Sequence, residues 1–144
     1  MNNKKGFSLV ELAIGLAVIT ILILAISVSA GIRDNARVQS AANSIRTLRS
    51  AAENYLSNGN LNYSSISIAN LQTANLLPGG FSATSTNPFG GNFSIASNVS
   101  DNTRFDISLT SLNQTQANKL AIYFSNNATS SMFDSSKNSW TVTF

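Results

Sequence analysis

Residues 1–31 read MNNKKGFSLVELAIGLAVITILILAISVSAG. Lys4, Lys5 and Gly6 close a short polar opening, and Glu11 is the one acid at the head of an apolar run that reaches Ile32. From Leu12 to Ile32 there are 21 residues without a charge, and the only hydroxyls are Thr20, Ser27 and Ser29. As a helix this run extends about 31 Å, close to the roughly 30 Å hydrocarbon core of a bilayer. Hydroxyl side chains are tolerated there because they bond back to helix carbonyls. A secretory signal has a shorter apolar stretch followed by a small-x-small cleavage site. Ser27-Val28-Ser29 or Ser29-Ala30-Gly31 could serve as one. The length of the run, the acid at its head and the helical text that follows favour a retained span. Lys4 and Lys5 then keep the N-terminus cytoplasmic by the positive-inside rule, and the rest of the chain faces outward.

Beyond Ile32 the pattern changes. Val38, Ala41, Ala42, Ile45, Leu48, Ala52, Tyr55 and Leu56 recur in steps of three and four, which marks one apolar face of a helix. Asn58-Gly59 is a stop signal. One helix from about Phe7 to Leu56 would be about 75 Å long, apolar all round in its first half and one-sided in its second. Arg46, Arg49 and Glu53 read as a solvated face with weak spaced pairs.

The remaining residues alternate between short elements and turns. Ile68–Leu76 reads as a short helix, ended by Leu77-Pro78-Gly79-Gly80. Asn87-Pro88-Phe89-Gly90-Gly91 reads as a turn. Phe93 and Ile95, then Phe105, Ile107 and Leu109, then Trp140, Val142 and Phe144 alternate with polar residues as half-buried strands do. Ser111-Leu112-Asn113-Gln114 has capping-box spacing ahead of Ala117, Leu120, Ala121 and Phe124, which share a helical face. The expected fold class is α+β, with the second half of the long helix packed on a small antiparallel sheet.

Composition narrows the chemistry. In 144 residues there is no Cys and no His, so disulfides, thiolate metal sites and the commonest general base are absent. Serine hydroxyls are abundant but lack that base, and nothing supports a Ser–Lys pair with Lys119 or Lys137. Asp101, Asp106 and Asp134 are too scattered for a hard-cation site, so no metal or cofactor is expected. The formal net charge is +3. Two of the nine basic residues are Lys4 and Lys5, and the other seven nearly balance six acids. Nucleic-acid binding is therefore not a primary expectation. Phe81, Phe89, Phe93, Phe124, Phe133 and Trp140 are expected in the core. Five Asn-x-Ser/Thr sequons, from Asn62, Asn92, Asn98, Asn113 and Asn127, are what chance gives in so Asn/Ser/Thr-rich a chain.

Lys4-Lys5-Gly6-Phe7-Ser8-Leu9-Val10-Glu11, followed directly by the apolar run, resembles the N-terminus of type IV prepilins and type II secretion pseudopilins. The resemblance implies cleavage by a prepilin peptidase between Gly6 and Phe7, N-methylation of Phe7, and assembly through Phe7 and Glu11. It implies four segments: a cleaved leader, 1–6; a transmembrane and assembly half-helix, 7–32; an amphipathic half-helix, 33–57; and an α+β head, 58–144. Its implied partners are the peptidase, the membrane before assembly, an inner-membrane assembly platform, and copies of the chain in a helical filament. Localisation follows: bacterial inner membrane first, then an extracellular pilus. The implied role is structural rather than enzymatic.

Asn87-Pro88-Phe89-Gly90-Gly91, Phe105-Asp106-Ile107 and Leu112–Leu120 together resemble the type IVb pilins of the toxin-coregulated and thin conjugative pili. The chain departs from them in having Asn118 where they carry a Cys, and in ending at Phe144 without a disulfide loop. It also lacks the membrane-helix Pro and clear calcium loop of major secretion pseudopilins. A minor pilin, a secretion or competence pseudopilin, and a single-span anchored extracytoplasmic binding domain are the alternatives.

Physical chemistry gives Glu11 a reason. A charged side chain within a bilayer costs roughly 2.5–3.5 kcal/mol on insertion scales. Cleavage would create a cationic amine at Phe7, one helical turn away. Glu11 can pair with that amine or with the amine of a neighbouring subunit, and the family resemblance favours the neighbour. The plainer role is to cap the helix start, where a carboxylate gains about 0.3–1 kcal/mol from the dipole.

Overall fold

The computed structural model describes residues 8–79, 81 and 86–144, and the backbone alone for 25–30. Among the described residues, three helices and four strands follow in the order α1 (Leu9–Ser57), α2 (Ile68–Thr73), β1 (Phe93–Ser97), β2 (Phe105–Thr110), α3 (Gln114–Phe124), β3 (Ser130–Asp134) and β4 (Ser139–Thr143). The chain divides between Ala36 and Arg37 into an N-terminal unit and a head unit.

The N-terminal unit is helical from Leu9 and carries its apolar side chains outward on every side. Leu12, Ile14, Leu16, Ile19, Ile21 and Leu24 are all more than half exposed. Thr20 satisfies its hydroxyl by donating to the Leu16 carbonyl at 2.8 Å, the back-bond that lets a hydroxyl sit in an apolar helix. Of the span expected over Leu12–Ile32, the side chains of residues 25–30 lie outside the described residues. The described run from Leu9 to Leu24 has 16 residues, about 24 Å as a helix. Among the described residues no helix is long and apolar enough to cross a membrane.

The head unit is the α+β fold expected. Residues 37–57 of α1 bury most of the anticipated stripe, with Val38, Ala41, Ala42, Ile45, Leu48, Ala52 and Tyr55 inside. Leu56 is only partly buried, and Ala51, which was not anticipated, is buried with them. Against it packs a four-stranded antiparallel sheet in the order β1-β2-β4-β3. Period-two alternation gives the sheet one apolar face. The register sets Ile95 opposite Ile107, Ile107 opposite Val142, and Leu109 opposite Trp140, and all of these are buried. The other face carries mostly hydroxyls, with two acids, Asp106 and Asp134, and with Ala96 and Met132. Ser108 and Thr141 share a 2.7 Å hydrogen bond across the strands. Asp106 accepts from Thr143 at 2.7 Å and from the Asn98 amide at 3.0 and 3.1 Å.

Three local expectations are corrected. The α2 helix stops at Thr73 rather than Leu76, because Asn75 turns to φ 59° in the left-handed conformation that ends helices. The capping box of α3 is Asn113 with Gln116, and not the Ser111–Gln114 pair. Ser111 has φ 66°, so the chain is still turning there, and Asn113 has the extended backbone an N-cap needs. Strand β3 was not anticipated. Ser130, Ser131 and Met132 are all exposed, so the edge strand has no in–out alternation to read.

The turn Asn87–Gly91 does more than reverse the chain. Asn87 is 3% exposed, and its side-chain amide makes four hydrogen bonds. It donates to the carbonyls of Asn92 (3.1 Å) and Thr110 (2.8 Å), and accepts from the backbone N–H groups of Phe89 (2.9 Å) and Gly91 (3.1 Å). The start of β1 is thereby pinned to the end of β2. A Cβ at Gly91 would collide with the Thr110 carbonyl oxygen, so only glycine allows this approach.

Candidate functional site

At the start of α1 the chain makes a reciprocal pair of bonds. The Ser8 N–H donates to Glu11 Oε2 at 2.9 Å, and the Glu11 N–H donates to Ser8 Oγ at 3.2 Å. The Leu12 N–H donates to the Ser8 carbonyl at 3.1 Å, the first turn of the helix. This is a capping box, in which two helix-end donors that have no partner within the helix are satisfied at once. It also seats the carboxylate at the positive end of the helix dipole. A carboxylate offers about four acceptor positions, so the bond from Ser8 leaves Glu11 with capacity for a cationic donor.

Of the expected site residues, Glu11 is therefore placed at the helix start with Ser8 beside it. Lys4, Lys5, Gly6 and Phe7 lie outside the described residues. Ser8 is the site residue that sequence reasoning passed over. The Ser-x-x-Glu spacing that announces it was present.

The exposed edge of α1 in the head unit is more engaged than a solvated face. The expected Arg49–Glu53 pair is there at 2.8 Å. In addition the Arg49 guanidinium lies 4.8 Å from the centroid of the Phe144 ring. Arg46 lies 5.8 Å from the ring of Tyr123 and 6.0 Å from that of Phe124. The Tyr123 hydroxyl donates to Gln39 at 2.8 Å. Cations over aromatic rings are worth about 0.5–1 kcal/mol each when exposed. These contacts tie α3 and the end of β4 to α1.

Titratable groups in the head serve turns and packing. Hydrogen bonds from Thr103 hold the Asp101 carboxyl below its usual range, and those from Ser136 do the same for Asp134. Each acid bonds residues two positions along its own turn. Burial, and then the charge of Glu53, push the Tyr63 phenol up. Among the described residues no cluster of three or more acids converges as a metal site would require.

A search of curated proteins returned no match to the chain. Residues 1–27 match the family model described as the prokaryotic N-terminal methylation motif, and that match supports a type IV pilin or pseudopilin.

Proposed function

We propose that the chain is a structural subunit of a type IV pilus, of the type IVb kind, polymerised through its N-terminal helix into an extracellular filament. The observation that supports a pilin-type subunit is the methylation motif over residues 1–27, which takes in most of the apolar run, on a chain whose later elements form an α+β head. The type IVb assignment rests on the head resemblance alone. In this reading residues 1–6 are a leader with Lys4 and Lys5 on the cytoplasmic side. A prepilin peptidase cuts between Gly6 and Phe7 and methylates the Phe7 amine. Residues 7–32 hold the subunit in the inner membrane before assembly and pack among neighbouring helices after it. Residues 33–57 form the spine of the head, and 58–144 its outer surface.

The helix suits both settings for one physical reason. Leu, Ile, Val and Ala pack against lipid tails and against each other with similar contact energy. Moving from bilayer to bundle then sacrifices little, provided the one charge is matched. Glu11 supplies the match by pairing with the Phe7 amine of the adjacent subunit. A subunit entering at the wrong height would leave an acid and an amine unpaired in an apolar bundle, so the pair sets axial register. The role is structural, and adhesion, conjugation or DNA uptake would be functions of the assembled fibre.

Intact-mass measurement on sheared surface filaments tests this reading. The expected species is residues 7–144 carrying one N-terminal methyl group, as the dominant protein. A chain that keeps residues 1–6, or that stays wholly in membranes of cells bearing filaments, overturns it. A trace amount of the processed chain beneath a different dominant subunit would identify a minor pilin or pseudopilin instead.

A further inference from the structure

We infer that the groove between α3 and β3 is a binding site for a neutral saccharide. The groove is open to solvent and has a volume of about 340 Å³, at the lower end of the range of small-molecule sites. It exists because the apolar face of the sheet stops short at its β3 edge. The inward positions of β1, β2 and β4 carry Phe93, Ile95, Ile107, Leu109, Trp140 and Val142, all buried. On β3 the position opposite Val142 is Ser131, an exposed hydroxyl. The next inward position, opposite Trp140, is Phe133, which is half-buried. Small Ala117 and Ala121 on the α3 wall leave the space unfilled.

The rim on the helix side is a pair of amides. Gln114 Nε2 donates to Asn118 Oδ1 at 2.9 Å, which orients both side chains. An acceptor, Gln114 Oε1, and a donor, Asn118 Nδ2, lie outside that bond. Together with the Ser131 hydroxyl they match the mixed donor–acceptor character of vicinal sugar hydroxyls. Phe133 adds an aromatic surface for the apolar C–H face of a pyranose ring. No charged side chain lines the groove, so phosphate, carboxylate and ammonium ligands gain no charge-assisted bond. A peptide strand would instead add along the free backbone edge of β3. The site belongs to the head unit alone, and does not rest on the filament reading.

The full chain, purified in a sugar-free detergent such as lauryldimethylamine oxide, is titrated with lactose, cellobiose and N,N′-diacetylchitobiose. Contact is read by saturation-transfer NMR of the sugar. Affinity is read from emission of Trp140, the single Trp of the chain, which borders the groove. At least one disaccharide is expected to bind saturably. Asn118→Ala, at an exposed helix position, should weaken binding about tenfold or more, equivalent to roughly 1.4 kcal/mol. Ser131→Leu should abolish binding while keeping the wild-type near-ultraviolet dichroism, since it places an apolar side chain on an inward-facing position. Absence of saturation transfer from all of the sugars overturns the assignment. So does affinity unchanged by both substitutions, or binding of a neutral hydrophilic peptide in their place.

Discussion

Replacing Glu11 by Gln or by Ala separates the two roles open to its carboxylate. Gln is an accepted partner in a capping box, and its amide oxygen can receive the Ser8 N–H bond now measured at 2.9 Å. Glu11→Gln should therefore keep the helix start. Glu11→Ala loses that bond, at about 0.5–2 kcal/mol for a lost cap. Both variants remove the charge, so neither should insert less well in a membrane, where that charge costs roughly 2.5–3.5 kcal/mol. In the proposed bundle both would leave the neighbouring amine without its counter-charge. If that unpaired ammonium costs a similar roughly 2.5–3.5 kcal/mol, subunit addition weakens by about two orders of magnitude. The assay is immunoblotting of sheared filaments alongside membrane fractions from the same cells. Both variants should remain in the membrane at wild-type amounts and yield few filaments. Wild-type filament yield from Glu11→Gln would refute the charge-pairing argument and leave Glu11 as a cap alone. In that case Ser8→Ala should reproduce the defect of Glu11→Ala.

Three further outcomes concern the head. Asn87→Ala removes four hydrogen bonds, one buried and three partly buried, and should cost about 3–5 kcal/mol in urea unfolding at roughly 1 kcal/mol each. Asn87→Asp should be at least as damaging at neutral pH, because it sets a carboxylate against the Thr110 carbonyl, and should recover partly in acid. A loss below about 1 kcal/mol for the alanine variant contradicts the pinning role. Gly91→Ala should fail to reach the native near-ultraviolet spectrum, and a wild-type spectrum would show that the Thr110 strand can yield. Tyr63 has its phenol raised above the ordinary 10.0 by burial and then by Glu53. Its contribution is fully present below the unfolded phenol's pKa and is lost as pH rises through the folded value. Thermal midpoints should therefore fall more steeply above about pH 10 in wild type than in Tyr63→Phe, and identical alkaline slopes would disprove the assignment.

What the sequence made legible depends on how far each residue's partner lies along the chain. The strands β1, β2 and β4 could be read because alternation is a local signal and their inner faces are covered. β3 could not, since its inward position 131 is a serine left exposed and the strand shows no alternation. The stripe on α1 was legible as steps of three and four. The rings over Arg46 and Arg49 were not, because Tyr123, Phe124 and Phe144 come from elements far along the chain. Asn87 looked like an ordinary turn residue, and its decisive acceptor, the Thr110 carbonyl, is 23 residues away. The Tyr123–Gln39 bond joins residues 84 apart. Glu11 stands between these cases. Its partner Ser8 is three residues off, and the cap they form was readable in Ser-x-x-Glu. A cap alone, however, gives an acid no reason to sit at the mouth of a long apolar run rather than at any other helix start. That reason requires a cation within the same apolar environment. Cleavage at Gly6–Phe7 would create one, and filament assembly would bring the neighbour's within reach. In the proposed filament the capping box would keep the carboxylate hydrogen-bonded while the subunit waits in the membrane, and would leave acceptor positions for the amine that assembly brings.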